Sequence, residues 1–118
     1  MNPKYNRVLL KLSGEALEGK DEILDAEKVK NVCAVIKKCA DEGVSFGIVI
    51  GGGNIWRGRQ GLSVERTKSD GMGMLATLIN SIAISDALIK QGLDAKVLSA
   101  LDVQKLAESF SAEKARSY

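Results

Sequence analysis

The sequence predicts an α/β fold, a parallel sheet with helices on both faces that stops after about three strands. Three observations carry this. Short apolar runs alternate with longer segments of helical period, in the order strand–helix–strand–helix–strand. The first two runs each end in a glycine-bearing turn, "KLSG" and "GGGN". Right-handed crossovers would set both turns on one rim of the sheet, where open α/β folds hold ligands.

The elements follow in order. "RVLLKL", Arg7–Leu12, is an apolar run broken only by Lys11 and suits a buried strand. In "DAEKVKNVCAVIKKCADEG", Val29, Val32, Cys33, Ile36 and Ala40 recur at three- and four-residue steps and form one helical face. Asp25 suits its N-cap, and Gly43 suits a left-handed residue just past its end. "VSFGIVIGGGN" is a second buried strand ending in three glycines, and Ile55 to Lys68 reads as a polar loop with Gly58 and Gly61. The next helix runs through "SDGMGMLATLINSIAISDALIKQG". Ser69 or Asp70 would cap it, Leu75, Leu78, Ile79, Ile82 and Leu88 would form its apolar face, and Gly92 would end it. "AKVLSAL" reads as a third strand, and "DVQKLAESFSAEKARSY" opens another helical, charged segment. A three-stranded sheet is thin for an independent α/β domain, so residues 1–118 read as the N-terminal part of a single domain.

Composition narrows the function. With 45% hydrophobic and 27% charged residues, the chain belongs with globular proteins. A net charge of +2, scattered cations and few aromatics argue against nucleic acid as a partner. The N-terminal apolar run is too short for a signal-peptide core or a membrane span. Histidine is absent, which removes imidazole catalysis and His-ligated metals from these residues. Cys33 and Cys39 stand six apart, neither a metal nor a redox spacing, and read as small buried side chains in a reducing compartment. No metal site is expected.

Three phosphate-binding devices compete. From Gly14 the sequence spells G-x-x-x-x-G-K-D, but a P-loop needs Ser or Thr after its lysine, and Asp21 would repel phosphate there. A dinucleotide fingerprint starting at Gly51 would set Trp56 where the third glycine must pack closely. The third device uses both turns. Bare backbone amides at the glycines approach phosphate oxygens, Lys11 and Arg57 supply positive charge, Ser13 a hydroxyl, and Asp70 an acceptor for a sugar hydroxyl. This suits a nucleoside triphosphate facing a second phosphorylated substrate. Each residue also has an ordinary role: Lys11 as a solvated strand-end lysine, the glycines as a plain turn, Arg57 as a loop cation, Asp70 as an N-cap. Trp56 suits packing at the mouth of the site, and Met72 and Met74 suit core or interface filling. Only joint placement on one rim favours the phosphate reading.

"LLKLSGEAL", "VIGGGNIWRG" and "DGMGMLAT" together resemble the bacterial uridylate (UMP) kinases of the amino-acid-kinase superfamily, across essentially the whole chain. The resemblance implies the amino-acid-kinase fold and transfer of the ATP γ-phosphoryl to UMP, with Mg²⁺, in a cytoplasmic homohexamer serving pyrimidine nucleotide synthesis. It implies that Lys11, Leu12, Ser13 and Gly14 line the ATP phosphates, with Lys11 catalytic. Gly53 and Arg57 would complete the ATP site, and Gly52 and Asp70 would hold UMP. Three features depart from the family pattern. The later half, with its UMP segment and adenine pocket, is not in this sequence, so the fragment is expected to be inactive, or a non-catalytic nucleotide-binding module. The loop after "GEALEG" lacks the family's Gly-Phe-Gly stretch, and Ser85 precedes Asp86 where an arginine is associated with GTP activation. Gly71 stands where histidine is commoner.

Overall fold

The computed structural model describes residues 4–57 and 63–118. Strands β1 (Arg7–Leu12) and β2 (Ser45–Ile50) pair in parallel, with Arg7 opposite Ser45 and Leu12 opposite Ile50. After β1 the chain makes a 3-10 turn, Gly14–Leu17, and then helix α1 (Ala26–Asp41), which crosses back to β2. Asp25 caps α1 as expected. Its Oδ1 accepts from Glu27 N at 2.9 Å and Lys28 N at 3.1 Å, satisfying two of the helix's orphan donors. Gly43 takes φ +101° and turns the chain into β2.

Alternation along the two strands sorts their side chains cleanly. Leu10, Leu12, Phe46, Ile48 and Ile50 face a core completed by Leu17, by Cys33 and Ile36 of α1, and by Ile84 and Leu88 of the second long helix, α2 (Arg66–Lys90). Leu9, Lys11, Gly47 and Val49 point the other way and are exposed. Both long helices therefore cover the same face, and helices on both faces are not found among the described residues. Covering the second face takes a crossover that runs back past β1, and among the described residues no later strand joins this sheet.

The third strand also differs from expectation. Only Leu98–Ser99 is extended (β3), and it pairs in parallel with Glu108–Ser109 (β4) in a separate two-stranded ladder. The helix expected from Asp102 is confined to α3 (Ala112–Ser117), whose N-cap Ser111 accepts from Lys114 N at 3.0 Å. Ser111 suits the cap at which this short helix starts.

Helix α2 starts earlier than expected, at Arg66, and ends as expected, with Gly92 at φ +92°. Ser69 and Asp70 thus lie in its first turns and do not cap it; of the expected loop, residues 55–57 and 63–65 are irregular, residues 66–68 are helical, and Gly58 and Gly61 lie outside the described residues. Of the predicted apolar face, Leu78 and Leu88 are buried, while Leu75, Ile79 and Ile82 are exposed, as are Met72 and Met74. The helix is apolar on most sides, with a mean hydropathy of 1.6 over an 18-residue window, long and apolar enough by composition to cross a membrane. It packs on the α/β unit through Ala76, Leu78, Ile84 and Leu88, and most of that window is not buried.

Candidate functional site

The parallel register delivers both glycine turns to one rim. Gly51 N donates to Leu12 O at 2.8 Å, extending the ladder one step past the strands. Just beyond, Gly14 is buried against the second turn. A Cβ on Gly14 would lie 2.5 Å from Asn54 Oδ1, 2.8 Å from Gly53 N and 2.9 Å from Gly51 O. Only glycine permits this approach. The second turn in its own right rests on α2: a Cβ on Gly52 would come within 2.7 Å of Ala76 Cβ and 3.1 Å of Gly73 O. First turn, second turn and helix are stacked in that order.

A cavity of about 520 Å³ opens between the second turn and the start of α2, lined by Gly52, Gly53, Trp56, Ser69, Asp70, Gly73, Met74 and Thr77. Trp56 lines it and is fixed there, its Nε1 donating to Ser69 Oγ at 2.9 Å. Asp70, relieved of any capping role, presents an exposed carboxylate to the same space.

On the other side of the glycines lies an anion-binding corner that already holds a carboxylate. Ser13 caps the 3-10 turn and its hydroxyl donates to Glu15 Oε2, while Arg57 Nη2 pairs with Glu15 Oε1 at 3.3 Å and Glu18 Oε1 at 3.5 Å. The Glu15 carboxylate also fills the space that a side chain on Gly53 would need. Its pKa is lowered, chiefly by the Ser13 hydroxyl and then by the Arg57 charge. Ser13 and Arg57, two of the residues expected to bind triphosphate, thus converge on one carboxylate of the chain itself, and Gly53, with no side chain, leaves room for it.

Leu12 meets the rim through its backbone, whose O accepts from Gly51 N, while its side chain packs against the core. Lys11 is not part of the cavity wall. Its Cα pairs with Val49 and its side chain leaves on the uncovered face of the sheet, exposed. Lys20, the lysine a P-loop would use, is exposed in a loop, and no helix begins there; α1 starts only after Asp25. That arrangement is incompatible with a P-loop, whose helix opens at the lysine.

Residues 6–117 match the family model described as the amino acid kinase family. The chain belongs to the amino acid kinase family. As a family member it is 50% identical over 111 residues to a uridylate kinase of Parabacteroides distasonis, an alignment covering 92% of this chain and 47% of that protein. Its fold superposes on the crystal structure of UMP kinase from Ureaplasma parvum with a TM-score of 0.89 at 36% identity, over 97% of this chain and 49% of the other. UMP kinase from Bacillus anthracis gives 0.88 at 31% identity, over 94% and 47%. The chain thus spans about half the length of the relatives it matches.

Several residues of this family member's site escape a motif-based reading. Glu15 and Glu18 sit inside "SGEALEG", yet nothing in that string says their carboxylates turn back on Arg57. Asn54 closes "GGGN" and bonds to Asn80, 26 positions on, in the middle of α2. Serine and threonine on the cavity side of α2, Ser69 and Thr77, lie just over two turns apart in a helix whose buried face differs from the one its periodicity predicts.

Proposed function

We propose that the intact protein carrying this sequence is a UMP kinase, transferring the γ-phosphoryl of ATP to UMP to give UDP and ADP. The observation that supports it best is the stacking of two glycine turns on one rim, between an anion-binding corner and an open cavity, in a chain that superposes on UMP kinases. Phosphoryl transfer needs two phosphorylated ligands aligned end to end and their charge stabilised, with little covalent work by the protein. In this reading the ATP phosphates lie along Lys11, the Leu12 backbone, Ser13, Gly14, Gly53 and Arg57, displacing the Glu15 carboxylate. UMP takes the cavity, against Gly52 and Asp70. Lys11, one residue before the end of β1, would swing from the uncovered face of the sheet over the rim to the transferring group.

Among the described residues no three His, Cys, Asp or Glu side chains gather to hold a metal, so a resident metal site does not fit these residues. Mg²⁺ would arrive with ATP, which suits an ion that keeps its waters and binds chiefly phosphate oxygens. A cytoplasmic homohexamer serving pyrimidine nucleotide synthesis, with no nucleic acid or membrane as partner, completes the reading. Residues 1–118 are then the N-terminal part of one domain. Because they span about half of the matched relatives, these residues alone are proposed to bind nucleotide without turning it over.

Assaying the full-length protein with ATP and each nucleoside monophosphate in turn tests the proposal, and the expected result is a clear preference for UMP. Equal or better use of another monophosphate overturns the substrate. Lys11→Ala is expected to lower kcat by on the order of 100-fold or more with the fold intact; an unchanged kcat removes its catalytic role.

A further inference from the structure

The second turn, α2 and the loop ahead of α1 are tied together by a pair of buried amides that line none of the binding surfaces above, and Gly14 of the first turn packs against one of them. Asn80, fully buried in the middle of α2, and Asn54, 8% exposed at the end of the second turn, bond to each other twice. Asn54 Nδ2 donates to Asn80 Oδ1 at 3.1 Å, and Asn80 Nδ2 donates to Asn54 Oδ1 at 2.8 Å. Each amide nitrogen has one hydrogen left. That of Asn80 goes to Gly51 O at 2.8 Å, and that of Asn54 to Ile23 O at 2.9 Å, in the loop ahead of α1. All four N–H groups are used, and no buried side-chain polar atom among the described residues lacks a partner.

Burying two primary amides is costly unless every donor is met, so such a pair specifies one geometry. What it specifies is the junction between the two sides of the site. Asn54 Oδ1 is also the nearest atom to the missing Cβ of Gly14, at 2.5 Å, so the pair sets how closely the first turn approaches the second. Asn80 lies one turn of helix beyond Ala76 and Thr77, where Gly52 rests, and fixes the second turn along α2. The same helix carries Asp70.

We propose that Asn54 and Asn80 act as a positioning pair, setting the separation between the donor-phosphate turn at Ser13–Gly14 and the acceptor side at Gly52 and Asp70. The proposal rests on the UMP kinase reading. Neither side chain lines the cavity, so the pair acts on alignment rather than on nucleotide contact. Alignment is what in-line phosphoryl transfer depends on most, and a shift of about 1 Å at the reacting groups costs on the order of 100-fold in rate.

The test is steady-state kinetics on the full-length protein with Asn80→Ala, Asn54→Ala and the double variant, at a temperature where melting curves show each to be folded. Each single variant is expected to lose on the order of 100-fold in kcat with KM for ATP and UMP within about threefold, and the double variant to lose no more than either. A folded Asn80→Ala with kcat within about threefold of wild type, or losses that multiply in the double variant, overturns the proposal. If Asn80→Ala does not fold, Asn80→Asp decides. A buried carboxyl there has a raised pKa; protonated it can donate to Gly51 O and accept from Asn54, and ionised it can only accept. Its kcat relative to wild type is expected to rise as pH falls from about 8 to about 6, and a flat ratio overturns the pairing. Absence of UMP phosphorylation by the wild-type protein would instead refute the functional reading, and is seen before any variant is made.

Discussion

Replacing Gly14 with alanine probes the contact on which the site is built, and Gly71→Ala in the same chain supplies the control. The added methyl at position 14 would meet three atoms at 2.5, 2.8 and 2.9 Å, two of them backbone. None is at the end of a flexible side chain: Asn54 is held by both its amide hydrogens, and Gly51 is tied to the end of β1. Gly14 has no positive φ, so the penalty is steric. Overpacking against atoms that cannot yield costs about 2 kcal/mol. At Gly71, inside α2, a methyl meets nothing within 4 Å, and the helix gains about 1 kcal/mol from alanine. The two single-methyl additions should therefore separate by about 3 kcal/mol in opposite directions, a difference in Tm on the order of 10 °C. Urea unfolding and thermal melting of both variants read this directly. Should Gly14→Ala melt with the wild type, the first turn does not press on the second, and the stacked arrangement behind the proposed function fails with it.

Two further outcomes test the electrostatics. Glu15→Gln removes the internal anion from the Ser13–Gly53–Arg57 corner, so ATP is expected to bind a few-fold tighter by calorimetry, with UMP affinity unchanged; equal or weaker ATP binding means that the carboxylate does not sit where the phosphates go. In the wild type the same contact is present above the ordinary carboxylate value of 4.5 and is lost as pH falls through the lowered pKa, a dependence that Glu15→Gln abolishes. Among the thiols, Cys33 is buried with its pKa raised by desolvation, whereas Cys39 is only half-buried, so a thiol reagent at about pH 8 should modify Cys39 first and reach Cys33 only on unfolding. Equal labelling rates would show that the core around Cys33 opens locally.

The parts of the fold governed by local chemistry were legible in the sequence. Asp25 and Gly43 bracket α1 because capping and left-handed turns depend on a few adjacent residues, and both residue types are close to diagnostic there. The strands β1 and β2 were legible because their inward residues are uniformly apolar, and the two turns could be set on one rim because parallel pairing permits no other arrangement. The third strand was not. "AKVLSAL" has the composition of a strand, but pairing depends on which edge is within reach, and the partner of Leu98–Ser99 comes from Glu108–Ser109, in a segment whose charges suggested a helix.

Helix α2 marks the limit of periodicity as a guide. Its apolar residues recur on nearly every side, so counting three- and four-residue steps from Leu75 selects a face just as convincing as the one that is buried. What settles the phase is polar: Asn80 must be inside because Asn54 and Gly51 O are waiting for it, and that places Ala76 and Thr77, one turn earlier, and Gly73, two turns earlier, under the glycine turn. With Asn80 inward, Leu75, Ile79 and Ile82 are driven out even though each is more hydrophobic than the residue that displaced them. A buried asparagine thus overrides the hydrophobic ranking because its hydrogen bonds exist in one rotation of the helix only, whereas leucine and isoleucine pack in many. The same rotation turns Asp70 and Ser69 toward the cavity, so the residue that fixes the helix also determines which side chains line it.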